Sequence, residues 1–121
     1  MNREKLIHAG IDYDGGVHRF AGKPAIYEKY LMKFFAHNEL PALRQALVDG
    51  DYDAAFRTAH NMKGGAGNLS ITALFDTICA LVDALRAGIQ DASLLEMCTE
   101  AERLYDAAYK AVKEENDGQA N

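Results

Sequence analysis

Apolar positions recur every three or four residues along most of this chain, the spacing that places them on one face of a helix. No stretch alternates strictly between apolar and polar, and Asp14-Gly15 lacks the strand-like flanks of a hairpin. Pro24 suits the first turn of a helix. Behind it, Ile26, Tyr27, Tyr30, Leu31, Phe34 and Phe35 predict a buried stripe. Leu40, Leu43, Leu47 and Val48 predict the next helix, starting near Pro41 and stopped by Gly50. Asp51 is placed to cap a further helix over 52–68. From Ile71, the positions Leu74, Ile78, Leu81 and Leu85 predict another, closed by Gly88. SLLE at 93–96 reads as a capping box, and the last helix then carries Leu95, Cys98, Ala101, Tyr105, Ala108 and Val112. Short connections between long amphipathic helices predict antiparallel neighbours, hence an all-α up-down bundle. No composition shift marks a linker, so 1–121 reads as a single domain. Residues 1–23 form an irregular or short-helical preface, and 114–121, EENDGQAN, a frayed polar tail.

Composition narrows the function classes. With 121 residues, of which 49% are hydrophobic, the chain can bury a core. No apolar run approaches a membrane span, and MNREKLIHAG has no secretory h-region, so the expected location is cytoplasmic. Starting at Met1 and ending in a polar tail favours a free-standing protein. Cys79 and Cys98 fall in apolar helical patterns and read as reduced core residues, although a disulfide is possible on paper. A net charge of −5 without a basic patch argues against nucleic acid.

One stretch departs from the helical economy of the rest. AHNMKGGAGNL, residues 59–69, puts Gly64, Gly65 and Gly67 inside a helix, where each glycine costs about 1 kcal/mol relative to alanine. On a helical wheel Ala55, Ala59, Met62 and Ala66 form the core face, with Tyr52 near its edge. His60 points away from it, beside Asp53, Arg57, Lys63, Gly64 and Gly67. Gly67 can end the helix and Gly65 can ease packing, but Gly64 lies on the exposed side, where its bare backbone clears space beside the imidazole. His8, His18 and His37 have no such setting and no metal-ligand spacing.

A neutral imidazole is a competent nucleophile, and the ordinary histidine pKa of about 6.5 leaves the ring largely neutral near pH 7. Lys63, one turn on, can offer charge to phosphoryl oxygens. Nothing in the chain could drive phosphorylation alone. There is no GxxxxGK[ST] loop and no carboxylate cluster beside His60 suited to Mg²⁺.

The stretch resembles the AHxLKGxxxN-type signature of histidine-containing phosphotransfer (HPt) domains. GID at 10–12, RFAG at 19–22, YEKYLMKFF at 27–35, VDGDYDAA at 48–55 and ALRAG at 84–88 are similar to further landmarks of that family. The resemblance spans about residues 8–90. It implies a four-helix antiparallel bundle with short extra helices at the N-terminus. It also implies a phosphocarrier, without kinase or phosphatase activity of its own, working between aspartates of response-regulator receiver domains and a hybrid sensor histidine kinase. The partner receivers would supply the aspartate and Mg²⁺, and this chain needs no cofactor. His60 matches the phosphoacceptor, Lys63 the residue that steadies the phosphoryl group, and Gly64 the glycine that admits the receiver.

The receiver would then cover the face around His60, including Phe56, Arg57 and Gly67. Two placements are open for Phe56: a core side chain, or a partly exposed anchor for the partner. Arg57 either meets an acidic receiver site or is an ordinary solvated charge. Gly65 stands where serine is commonest, Ser70-Ile71 where Gly-Ala is frequent, and Val82 where the family often has glutamate at a surface or inter-helix contact. The alternative function is a receiver-binding module of the same fold that carries no phosphate. A general-base enzyme would need a second titratable group within hydrogen-bond reach and a pocket, and a convex bundle surface is a poor one; a metal-binding bundle would need a Glu-x-x-His pair that the chain does not have. A monomer is expected for transient partner binding.

Overall fold

Each apolar stripe needs a partner surface, and four helices provide it for one another. The computed structural model describes residues 1–119, which contain helices and no strand. The elements are α1 (Arg3–His8), α2 (Tyr13–Arg19), α3 (Pro24–Ala36), α4 (Leu40–Val48), α5 (Tyr52–Asn68), α6 (Thr72–Arg86) and α7 (Ser93–Gln119). Helix α4 packs on α5, α5 on α6, α6 on α7, and α7 returns to α4, closing the bundle. The connections at 49–51, 69–71 and 87–92 are short, so sequential helices run antiparallel. Helix α3 lies on α5 and α7, and the two short N-terminal helices complete the predicted architecture.

The helix ends follow local chemistry. The Asp51 carboxylate accepts from the Ala54 N–H and caps α5. Gly50 and Gly88 end α4 and α6 in left-handed backbone. The cap of α7 differs from the expected capping box. Asp91, not Ser93, supplies it, accepting from both the Ser93 amide, at 2.9 Å, and the Ser93 hydroxyl. Nor does α7 stop near 114. It continues to Gln119, because no proline interrupts a ladder that adds one bond per ordered residue. Residues 120 and 121 of the expected tail lie outside the described residues.

The core face of α5 is as the wheel places it: Ala55, Ala59 and Ala66 are fully buried and Met62 nearly so. Three alanines let the neighbouring helices approach α5 closely. Elsewhere the stripes are narrower than the pattern. On α3, Tyr27, Leu31 and Phe35 are buried and Phe34 packs beside them, but Ile26 and Tyr30 are exposed, since α3 meets the bundle mainly along that i, i+4, i+8 line. Val48, in the last turn of α4, is 61% exposed. On α7 Leu94 takes the buried register that the pattern gave to Leu95. Val82 is fully buried, so the position carries a core contact and not a surface one. Cys79 and Cys98 are free thiols, and burial pushes Cys98 up.

Two tyrosines tie α3 down through buried hydroxyls. Tyr105 donates to the Phe35 carbonyl at 3.1 Å, with the rings 5.0 Å apart. Tyr27 donates to the Leu69 carbonyl at the end of α5, at 2.6 Å. Burial raises both phenols, Tyr105 to about 12. Across the bundle, Arg44 of α4 clasps Glu102 of α7 at 2.9 and 2.6 Å.

The N-terminal segment is fastened to the same end of α5. Asp12 N–H donates to the Ser70 carbonyl at 2.8 Å, and the Gly10 carbonyl accepts from Ala73 N–H and the Thr72 hydroxyl, both at 3.1 Å. Gly10 has φ +94, and a Cβ there would fall 2.6 Å from that of Ala73, so both backbone and space demand glycine.

Candidate functional site

His60 stands on the exposed face of α5, as its phase requires. One turn back, Phe56 is half-buried and packs against the core. Its ring lies 5.9 Å from the imidazole at 30°, a stacked arrangement. Phe56 is therefore neither fully core nor free: it packs against the core while its ring stacks on the histidine. The Arg86 guanidinium of α6 sits 5.5 Å from the centre of the same ring, a cation–π contact that favours this ring position.

On the other side of His60 a groove of about 490 Å³ opens between α2, α5 and the start of α6. Lys63, Gly64 and Gly67 line it together with His60. Four of the six residues singled out in the sequence thus share one surface. Phe56 touches His60 from outside the groove, and Arg57 is exposed and lies outside its lining.

The three glycines have three different settings. A Cβ on Gly64 would meet nothing within 4 Å, so its bare backbone serves no internal packing. A Cβ on Gly65 would lie 3.1 Å from the Phe34 ring, which fits the packing role expected of it. A Cβ on Gly67 would lie 2.9 Å from the Phe75 ring. Gly67 therefore makes room for Phe75 of this same chain, and it does not end the helix. Helix α5 runs to Asn68, and the left-handed residue after it is Ser70, with φ 55. Here the departure from Gly-Ala has a structural meaning: a serine holds a backbone conformation that suits glycine.

Among the groove residues that the sequence did not single out as site residues are Arg19 and Asp12, on or beside α2, and Phe75 on α6. RFAG was the available signal for Arg19, but nothing local places it near His60. Asp12 is occupied at the start of α2, accepting from Gly15 N–H at 3.1 Å. Among the described residues no group of three His, Cys, Asp or Glu side chains is placed to hold a metal ion. No helix there is long and apolar enough to cross a membrane.

An exposed histidine on a bundle helix, with a lysine one turn on and open backbone beside it, is chemistry offered to a partner. The family model described as "Hpt domain" matches residues 32–119. The chain belongs to the Hpt domain family. No curated protein and no solved structure matches it. An Hpt domain is a phosphotransfer module of two-component signalling. Such domains are phosphocarriers and not kinases or phosphatases, and they interact with receiver domains in phosphorelays. In this Hpt domain the matched segment begins within α3, so α1 and α2 lie outside it even though α2 forms one wall of the groove.

Proposed function

We propose that this Hpt domain accepts a phosphoryl group on His60 from the aspartyl phosphate of one receiver and passes it to the aspartate of another. The observation that carries the reading is the combination at one surface: an exposed imidazole, Lys63 beside it, and open space at Gly64. In the first transfer the imidazole lone pair attacks phosphorus. A nitrogen–phosphorus bond forms, and the bond from phosphorus to the aspartate oxygen breaks, its electrons leaving with the carboxylate. The proton on the other ring nitrogen stays there. The second transfer runs the same exchange with the next receiver's carboxylate as nucleophile.

Each neighbour has a defined part. Stacking on Phe56 limits rotation of the imidazole and holds the nucleophile ready, which lowers the orientational cost of reaction. Lys63 faces the oxygens that carry charge in the transfer. Gly64 lets the receiver's backbone come close enough for in-line attack. Phe56 and Arg57 extend the docking surface, and Gly67 contributes indirectly by seating Phe75 in its floor. The receivers, one of them belonging to a hybrid sensor histidine kinase, supply Mg²⁺ with the aspartate. The relay works in the cytoplasm, with the carrier as a monomer.

The test is phosphoryl transfer from a panel of phosphorylated receiver domains to the wild type and to His60→Gln. Acid-labile, base-stable label on the wild type and none on the variant is the expected result. Binding without label from any receiver would overturn the carrier reading in favour of a docking module.

A further inference from the structure

Two cations line the His60 groove, and they come from elements well separated in the sequence: Lys63 from α5 and Arg19 from the last turn of α2. Neither takes a carboxylate partner among the described residues, whereas Arg3, Arg44 and Arg103 are each clasped by one. The one carboxylate in the lining, Asp12, is engaged by the Gly15 amide. With two cations against that one carboxylate, the groove presents a net positive charge next to an exposed nucleophile.

Arg19 is not carried there by a loose arm. The segment just before α2 is bonded to the α5–α6 turn through Asp12 and Gly10, as described above. The backbone of α2 also lies directly on the Tyr27 ring: a Cβ on Gly16 would be 2.2 Å from a ring carbon. That ring's hydroxyl in turn holds the end of α5. Backbone bonds and a glycine contact thus fix where α2 begins and how close it comes, and its last turn delivers Arg19 to the groove.

We propose that Arg19 is a positioning residue for the phosphoryl group on His60, forming with Lys63 a two-cation clamp; the inference rests on the carrier reading above. The chemistry of the two side chains is complementary. Lysine is a compact point charge, while the arginine fork can donate to two oxygens of one phosphoryl group at once. Arg19 makes and breaks no bond. It orients the group against a nitrogen–phosphorus axis and offsets its charge. On this account α1 and α2 are the frame that brings the second cation to the site.

The test uses the full chain, phosphorylated chemically with phosphoramidate and followed by ³¹P NMR, alongside transfer from a phosphorylated receiver. The wild type should give a phosphohistidine resonance that His60→Gln lacks. Arg19→Gln should move that resonance and slow receiver transfer by about tenfold, the scale of one charge-assisted contact. Arg19→Lys should recover part of the rate, Lys113→Gln on α7 should match the wild type, and all melting temperatures should agree. A resonance and rate for Arg19→Gln equal to the wild type would overturn the clamp and leave the carrier reading intact. Equal losses in Arg19→Gln and Arg19→Lys with lowered melting temperatures would also overturn it, because the residue would then be structural. No resonance dependent on His60, and no label from any receiver, would remove the carrier reading itself.

Discussion

Replacing Gly64 with alanine separates what the helix wants from what the site wants. A Cβ at this position has open space for at least 4 Å, so it brings neither a clash nor a new contact. What remains is helix propensity, about 1 kcal/mol in favour of alanine in a helix interior. For a chain of 121 residues the unfolding entropy near the midpoint is about 0.25 kcal/mol/K, so Tm should rise by about 4 °C. Gly65→Ala should gain less, since the Phe34 ring must yield a few tenths of an ångström. Gly67→Ala should gain nothing or lose, because the Phe75 ring stands at 2.9 Å. The assay is thermal unfolding of the three variants by circular dichroism, paired with receiver transfer for Gly64→Ala and Gly64→Gln. The glutamine variant should fold at least as well as the wild type and transfer at least about tenfold more slowly, since its side chain occupies the receiver's approach. A Gly64→Ala protein less stable than the wild type would refute the open-space reading. Normal transfer by a folded Gly64→Gln protein would refute the access argument.

Lys63→Ala should slow transfer about tenfold without abolishing it, measured with the same labelled receivers, because charge at the groove is shared and the nucleophile is intact; complete loss in a folded protein would give Lys63 a larger part. Ser70→Gly should raise stability by about 0.5–1 kcal/mol in a urea titration, relieving the left-handed backbone; a loss would mean that the nearly buried serine earns its place through side-chain contacts. The Arg44 guanidinium bonded to Glu102 holds that carboxyl below its usual value of 4.5. The contribution of the pair is thus present above about pH 4.5 and fades as pH falls through the lowered value. The stability gap between wild type and Glu102→Gln should accordingly shrink from pH 7 to pH 3, and a constant gap would exclude a titrating pair.

Much of this molecule is written in local pattern. The apolar repeat of α5 places Ala55, Ala59, Met62 and Ala66 inward and leaves His60 outward, because a helical residue's direction depends only on its phase. Asp51, Gly50 and Gly88 mark helix ends through bonds and dihedrals made within a few residues. The same locality allowed His60, Lys63 and Gly64 to be read together, one turn apart on a single face.

The remaining features depend on which element lies opposite which. Gly64, Gly65 and Gly67 look alike in sequence, yet one faces open space, one Phe34 of α3 and one Phe75 of α6. Ile26, Tyr30 and Val48 share the apolar rhythm of their helices but lie where no neighbour covers them, while Val82 is covered completely. Arg19 reaches the His60 groove only because Asp12 and Gly10 bond the N-terminal segment to the α5–α6 turn. Periodicity fixes the direction a side chain takes from its own helix. The tertiary packing alone decides what meets it there, since burial and charge balance are set by atoms distant in the chain.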